Sequence, residues 1–312
     1  MSSERPSKKQ KVAGLDWEAI KKVLGDEDLF GEMKKGDVTS FDIQFEIHAK
    51  TIQVITPAIL QQKNLSQLSA TNHDESWGDD WCHIEPLLSK LPNITCLDFS
   101  NSDISYNNDQ QWKKLSPTIG RLLNLTSLNI RNNGIRYEGW KYLSNAFAHL
   151  SCLEHLDISE NYIMLYENED DDEDDDDKVY VGDSIKKMFA TLSKLEKLKS
   201  LILENTTISD ACIEALAPSL VEMKALEICD LHGNNIRDEG VKILVSCLPK
   251  MTALCTLDAS NNDFSDESQM LLKEAWESAG KNLDQLSLIK NTSSDDDSDI
   301  DESDDDDSDD GD

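Results

Sequence analysis

Apolar and polar residues alternate along the middle of the chain in one recurring pattern, L-x-x-L-x-L-x-x-N-x-I. Leu125, Leu128, Ile130, Asn133 and Ile135 fill every slot, and Leu153, Leu156, Ile158, Asn161 and Ile163 fill them again. Leu226, Cys229, Leu231, Asn234 and Ile236 put a cysteine in one apolar slot. Leu254, Leu257, Ala259, Asn262 and Phe264 put a small residue in another. Two copies carry a hydroxyl where the others carry the amide: Ile94, Leu97, Phe99, Ser102, Ile104 and Leu198, Leu201, Leu203, Thr206, Ile208. Weaker edge copies sit at Leu65, Leu68, Ala70 and at Leu283, Leu286, Leu288, Asn291. From Ile94 onward the copies start 31, 28, 45, 28, 28 and 29 residues apart. One L-x-x-L-x-L arises by chance, whereas an array at fixed spacing marks a repeat architecture.

The pattern dictates local structure. The x-L-x-L-x stretch has the period of two of a short strand, leucines inward and x residues outward. The Asn, or the shorter Ser102 and Thr206, satisfies backbone groups where the chain leaves the strand. A helix follows. Residues 209–223 put Ile213, Leu216, Ala217, Leu220 and Met223 on one face, and residues 238–251 do the same with Val241, Leu244, Val245, Leu248 and Met251. That is amphipathic helical spacing. A further helix is expected over 184–195, and Ser209 or Asp210, Asp238, and Ser265 or Asp266 stand where N-caps belong. Stacking these units predicts an α/β solenoid of seven to eight repeats, with a parallel sheet on the concave face and helices on the convex face.

A full helix in each unit, and the phrase NNIRDEGVKILVSCLPKMTALCTLDASNN, resemble the ribonuclease-inhibitor-like subclass of leucine-rich repeat proteins. The resemblance spans roughly residues 60–292. It implies a horseshoe fold and leaves function open, because the scaffold carries many unrelated tasks.

Outside the repeats, residues 1–14 form a basic N-terminus and residues 15–60 an N-terminal cap, with Trp17, Ile20, Val23 and Leu24 on one helical face and an alternating strand-like stretch at 41–47. Trp77, Trp81, Cys82 and His83 lie in a long first-repeat loop and read mainly as packing. The long interval holds an insertion at 164–182 that leaves the stack just after Ile163, at the turn between strand and helix. Insertions there emerge from a rim and spare the core.

Charge sharpens this layout. The 312 residues carry 30 Lys and Arg against 62 Asp and Glu, a net charge of −32. Ten acids fall within 167–177 and thirteen within the tail 293–312, so the rest of the chain holds only −9. Such acidic runs cannot bury enough apolar surface to order themselves. A chain this acidic is repelled by nucleic acid phosphates and anionic membranes, so its electrostatic partners are basic proteins. No apolar run approaches the roughly 18–20 residues of a membrane span, and the basic N-terminus lacks the apolar region of a secretory signal. The seven cysteines, odd in number and without a CxxC pair, read as reduced thiols. Lys8, Lys9 and Lys11 match the K-K-x-K core of a nuclear import signal, giving a nuclear or nuclear and cytoplasmic location. Ser293, Ser294, Ser298 and Ser303 each precede an acid by three residues, spacing that suits acidophilic kinases.

The strand register defines the candidate site. One outward column reads Asp98, Asn129, Asp157, Ile202, Asp230, Asp258 and Ser287; the next reads Ser100, Arg131, Ser159, Glu204, His232, Ser260 and Ile289. Neighbouring strands lie about 4.8 Å apart, so the columns form ladders. The partner-binding surface is assigned to Asp98, Asn129, Arg131, Asp157, Glu204, Asp230, His232 and Asp258. Catalysis has little support. The six histidines show no metal-ligand spacing and no phosphate-cradling glycine motif occurs, so neither metal nor cofactor is expected. The expectation is a non-enzymatic scaffold for a basic protein, histone-like or other. In layout the chain looks like the acidic leucine-rich nuclear phosphoproteins, which engage histones but use a shorter repeat. Its repeat subclass, repeat length and acidic tail also resemble the Ran GTPase-activating proteins, which implies the alternative of a regulator of a small GTPase. Arg131 beside Asn132 and Asn133 is the nearest arginine-plus-asparagine group, without a matching motif.

Overall fold

The computed structural model describes residues 15–44, 48–71, 81–105, 109–163 and 181–288. Each L-x-L core forms a strand of two or three residues, and each apolar stripe after it a helix. In chain order these are α1 (Trp17–Leu24), α2 (Glu27–Lys35), β1 (Ser40–Asp42), α3 (Ala49–Ile59), β2 (Gln67–Ser69), α4 (Glu85–Leu88), β3 (Cys96–Asp98), α5 (Gln110–Ile119), β4 (Ser127–Asn129), α6 (Tyr137–Phe147), β5 (His155–Asp157), α7 (Asp183–Leu192), β6 (Ser200–Ile202), α8 (Asp210–Glu222), β7 (Ile228–Asp230), α9 (Asp238–Cys247), β8 (Thr256–Asp258), α10 (Asp266–Ser278) and β9 (Leu286–Ser287). The nine strands make one open parallel sheet in sequence order, with the helices as an outer layer. The sheet starts at β1, within the 15–60 segment, because Phe41 pairs in register with Leu68. Of the strand-like 41–47, residues 45–47 lie outside the described residues.

The template leucines fill the space between the layers. Leu125, Leu128, Ile130 and Ile135 are buried, as are their counterparts from Ile94 to Phe264. Trp81, Trp112, Trp140 and Trp276 are fully buried, and Trp81 packs edge-on against Phe99 at 5.3 Å between ring centroids. Trp77 lies outside the described residues. The 164–180 stretch does not disturb the stack, since Leu156 and Leu201 on either side of it are direct sheet partners.

Both ends of the core are covered. At the N-terminal end, Asp16 and Asp26 cap α1 and α2, and Gly25 and Gly36 stop them with φ of 67° and 80°, a conformation that favours glycine. At the other end Lys281 donates from Nζ to the carbonyls of Met251, at 2.9 Å, and Leu254, with its ammonium 5.3 Å from the Trp276 ring centroid. Burial pulls the Lys281 pKa down.

The asparagines stitch neighbouring repeats together. Asn234 donates from Nδ2 to Leu203 O and Leu231 O, and its Oδ1 accepts from the amides of Thr206 and Ile208. Asn161 does the same between Ile130 O, Ile158 O and the amides of Asn133 and Ile135. The Thr206 hydroxyl bonds within its own repeat, to Leu203 O, and to Asn234, whereas the Ser102 hydroxyl reaches back to Ala70 O in the repeat before it.

A second stitch runs along the helix starts and revises the expected caps. Asp238 is the first helical residue, not the N-cap, which is Arg237. Its Oδ1 instead accepts the Ser265 amide and hydroxyl, both at 2.8 Å, in the following repeat. Asp210 holds the Arg237 amide in the same way at 2.7 Å. Glycine makes room for this carboxylate: a Cβ on Gly240 would stand 2.4 Å from Asp210 Oδ1. The helix expected to reach 251 ends at Cys247 and tightens into a single 3₁₀ turn over Leu248–Lys250, where Pro249 brings no N–H. The helix expected over 184–195 is α7, which ends at Leu192.

Candidate functional site

The concave wall is built from the outward residues of these strands. Sheet pairing places Asp98, Asn129, Asp157, Ile202, Asp230, Asp258 and Ser287 side by side in one ladder, which Asp42 and Ser69 extend. The ladder also shapes the backbone. Oδ1 of Asp98, Asn129, Asp157, Asp230 and Asp258 accepts the amide two residues on, from Ser100, Arg131, Ser159, His232 and Ser260 respectively, at 2.9–3.0 Å. Each is an Asx turn that closes the strand end. The second oxygen of each aspartate keeps its lone pairs for solvent or a ligand.

The next column departs from the expected outward row. Arg131, Glu204 and His232 are half-buried on the wall, but Ser100, Ser159 and Ser260 are buried. Two of the serines tuck beneath the ladder residue of their own strand: Ser159 and Ser260 donate their hydroxyls to Asp157 and Asp258. Ile289 lies outside the described residues.

Arg131 is occupied. Its Nη1 lies 2.5 Å from Glu204 Oε2 and its Nη2 lies 2.6 Å from Glu160 Oε1. The hydrogen bond to Glu204, ahead of the charge attraction, raises the Arg131 pKa, and the same bond lowers that of Glu204. Sequence reasoning missed Glu160, which sits one residue beyond the outward column with φ of 53°.

At His232, the ring Nδ1 lies 2.8 Å from Ser260 Oγ and Nε2 lies 3.0 Å from the Asn261 amide nitrogen. Since Ser260 gives its proton to Asp258, Nδ1 donates to Ser260 and Nε2 accepts from Asn261. The hydroxyl therefore stands between acid and imidazole, and the ring is no base toward it; a nucleophilic triad has the opposite order. Asp230 is pushed above the usual carboxylate range, mainly by burial and then by Asp258 and Glu204. His155 is exposed on β5, two strands from His232.

One interruption stands out. Ile202 occupies the aspartate position on β6, and Ile228 occupies the other outward position on β7 with 38% of its surface exposed. Ser127, His155, Ser200 and Thr256 hold that second position on the neighbouring strands.

Away from this wall, a cavity of about 520 Å³ opens between α5 and α6, rimmed by Lys113, Arg121 and His149 around Leu123 and Tyr142. Its rim has the wrong sign for a basic partner. Among the described residues no group of three or more His, Cys, Asp or Glu is arranged to hold a metal ion, and no helix is long and apolar enough to cross a membrane. Lys8, Lys9 and Lys11 and Ser293, Ser294, Ser298 and Ser303 lie outside the described residues.

An open parallel sheet, one helix per turn and an asparagine stitch between turns define a leucine-rich repeat solenoid. Residues 122–144 match the Leucine Rich repeat family. Among solved structures the chain is similar to a Bacteroides fragilis protein, at 16% identity and a TM-score of 0.48 over 88% of this chain and 69% of that one. It is also similar to the structure of Leiomodin-1 Actin-Binding Site 2, at 13% identity and a TM-score of 0.37 over 53% of this chain and 87% of that one. No curated protein matches the sequence. At these values neither structural likeness carries a function over.

Proposed function

We propose that the chain is a non-enzymatic interaction scaffold that receives a basic protein on its concave face, with the polyacidic segments at 167–177 and 293–312 steering the encounter. The observation that carries this reading is the aspartate ladder. Asp98, Asp157, Asp230 and Asp258 each fix one carboxylate oxygen by an intrachain bond and leave the other available. A row of pre-oriented carboxylates meets lysine and arginine with little ordering cost. Ten and thirteen acids in the two flanking segments raise the encounter rate, an effect that salt weakens.

Core histones supply the test, in a pull-down across a salt series. Binding at low salt that weakens strongly on reversing Asp230 and Asp258 to lysine supports the reading. No histone binding even at low salt rejects the histone version of it. Nuclear import through Lys8, Lys9 and Lys11 belongs to the same proposal; a fluorescent fusion with all three changed to alanine should lose nuclear enrichment. The subclass resemblance also raised GTPase activation, for which Arg131 would be the arginine in question. Its pairing with Glu160 and Glu204 speaks against a free arginine finger. GTP hydrolysis by Ran should be unchanged by the protein, and acceleration lost in Arg131→Ala would restore that alternative.

A further inference from the structure

The isoleucine pair is the feature that the acidic ladder leaves unexplained. Ile202 sits between Asp157 and Asp230 in direct sheet register, and Ile228 is diagonal to it, between Ser200 and Thr256. The two therefore share one face of adjacent strands, within reach of a single side chain. Acids surround them: Asp157 and Asp230 flank Ile202, Asp258 follows on β8, and Glu204 lies two residues past the end of β6. From Asp98 to Asp258, every other strand uses its ladder residue to hold the amide two residues on, and isoleucine cannot accept that bond. Ile202 thus gives up a fold-stabilising contact to put an apolar side chain on the wall, and Ile228 exposes 38% of its surface beside it.

Arg131 is held by Glu160 and Glu204, so among the described residues no lysine or arginine pairs with Asp230 or Asp258, which have His232 beside them, its Nδ1 4.0 Å from Asp258 Oδ1. Charge and apolarity thus coincide on β5–β8. We propose that this four-strand stretch of the concave face is a composite subsite for an extended basic segment that carries an apolar side chain next to its cations. The apolar side chain covers Ile202 and Ile228, while lysine or arginine on either side meets Asp157, Asp230 and Asp258. A plain polycation meets only half of the subsite. The inference rests on the basic-partner reading above and narrows it from charge alone to an alternating apolar and cationic segment.

The test uses the full chain and two fluorescein-labelled peptides of equal length and equal lysine count, one with serines and the other with leucines between the lysines. Titration by anisotropy at elevated salt, where exposed charge pairs are screened, should show the leucine peptide binding about tenfold tighter. The advantage should vanish in Ile202→Thr/Ile228→Thr, whose β-branched replacements keep the strand and whose melting curve should match wild type. Asp230→Asn/Asp258→Asn should weaken both peptides alike. Equal binding of the two peptides, or a leucine advantage that survives the threonine changes, overturns the subsite and leaves the basic-partner reading standing. Failure of both peptides to bind even at low salt overturns both.

Discussion

Arg131 and Glu204 stand two strands apart, yet the guanidinium reaches over the buried Ser159 to lie 2.5 Å from the carboxylate. The small serine between them makes the span possible. With 27% and 25% of their side chains exposed, the pair is neither a loose surface contact nor a fully buried one. Charge-assisted hydrogen bonds of this kind contribute roughly 1.5–3 kcal/mol. Urea unfolding of Arg131→Ala should therefore show a loss of about 2 kcal/mol, and a cycle with Glu204→Gln a coupling of about 1 kcal/mol. Additive effects would mean that the pair does not persist in solution.

The asparagine stitch should matter more. Asn234→Ala would leave the buried amides of Thr206 and Ile208 without their acceptor, while Leu203 O keeps the Thr206 hydroxyl and Leu231 O keeps Asn262. Each such buried group costs about 1–3 kcal/mol. A loss above about 3 kcal/mol in urea unfolding is expected, and a change below about 1 kcal/mol would contradict the role assigned to the side chain.

Two glycine-to-alanine changes should differ in sign. At Gly240 the new Cβ meets Asp210 Oδ1 at 2.4 Å and Ile236 Cγ2 at 2.8 Å, so the bond from Asp210 to the Arg237 amide must yield, at about 1–3 kcal/mol. At Gly31, inside α2, nothing lies within 4 Å, and alanine should stabilise by about 0.5–1 kcal/mol through helix propensity. Thermal melts of the two variants decide both.

Acid titration should separate two aspartates. Hydrogen bonds from Ser268 and from the Ser265 amide and hydroxyl lower the Asp238 pKa to about 2. A depressed carboxylate pKa gives stability that is complete above the unfolded value of about 3.9 and fades as pH falls toward about 2. Burial raises Asp230 instead. Its charged form is disfavoured in the fold, so its contribution drops as pH rises through the raised value. Asp230→Asn should raise the melting temperature at pH 7, with the gain vanishing in acid. Asn129 shows that an amide holds the same turn. A lower melting temperature at neutral pH would refute this.

Thiol labelling offers a check on packing. Cys229 is buried and its pKa is pushed up to about 12, while Cys255 is exposed on the strand entry. In the native state Cys255 should react with iodoacetamide and Cys229 should not. Modification of Cys229 at a comparable rate would show that the stack opens at β7.

Repeat spacing alone made the sheet register legible, residue by residue, from Asp98 to Ser287, because a period of two leaves no freedom once the leucines are placed. The fate of the polar side chains was less visible. An aspartate in the pattern L-D-x-S looks like free surface charge, and only coordinates show one oxygen turned back on the amide and the serine folded beneath it. The helix-start aspartates were equally deceptive, since Asp238 resembles a local cap and bonds 27 residues away. Ile202 and Ile228 could be read as outward from the template, but not as neighbours until the strands were paired.

Lys281 fastens the last described turn. Within the array, the amides of each turn reach a carbonyl of the turn before, as those of Cys255 and Thr256 reach Glu227, so the stack is open-ended in principle. At the step from β8 to β9 the ammonium adds a side-chain tie to the Met251 and Leu254 carbonyls. It acts as a buckle, and β9 still pairs with β8 beyond it. Duplicated repeats should therefore graft between β7 and β8 without disturbing that buckle.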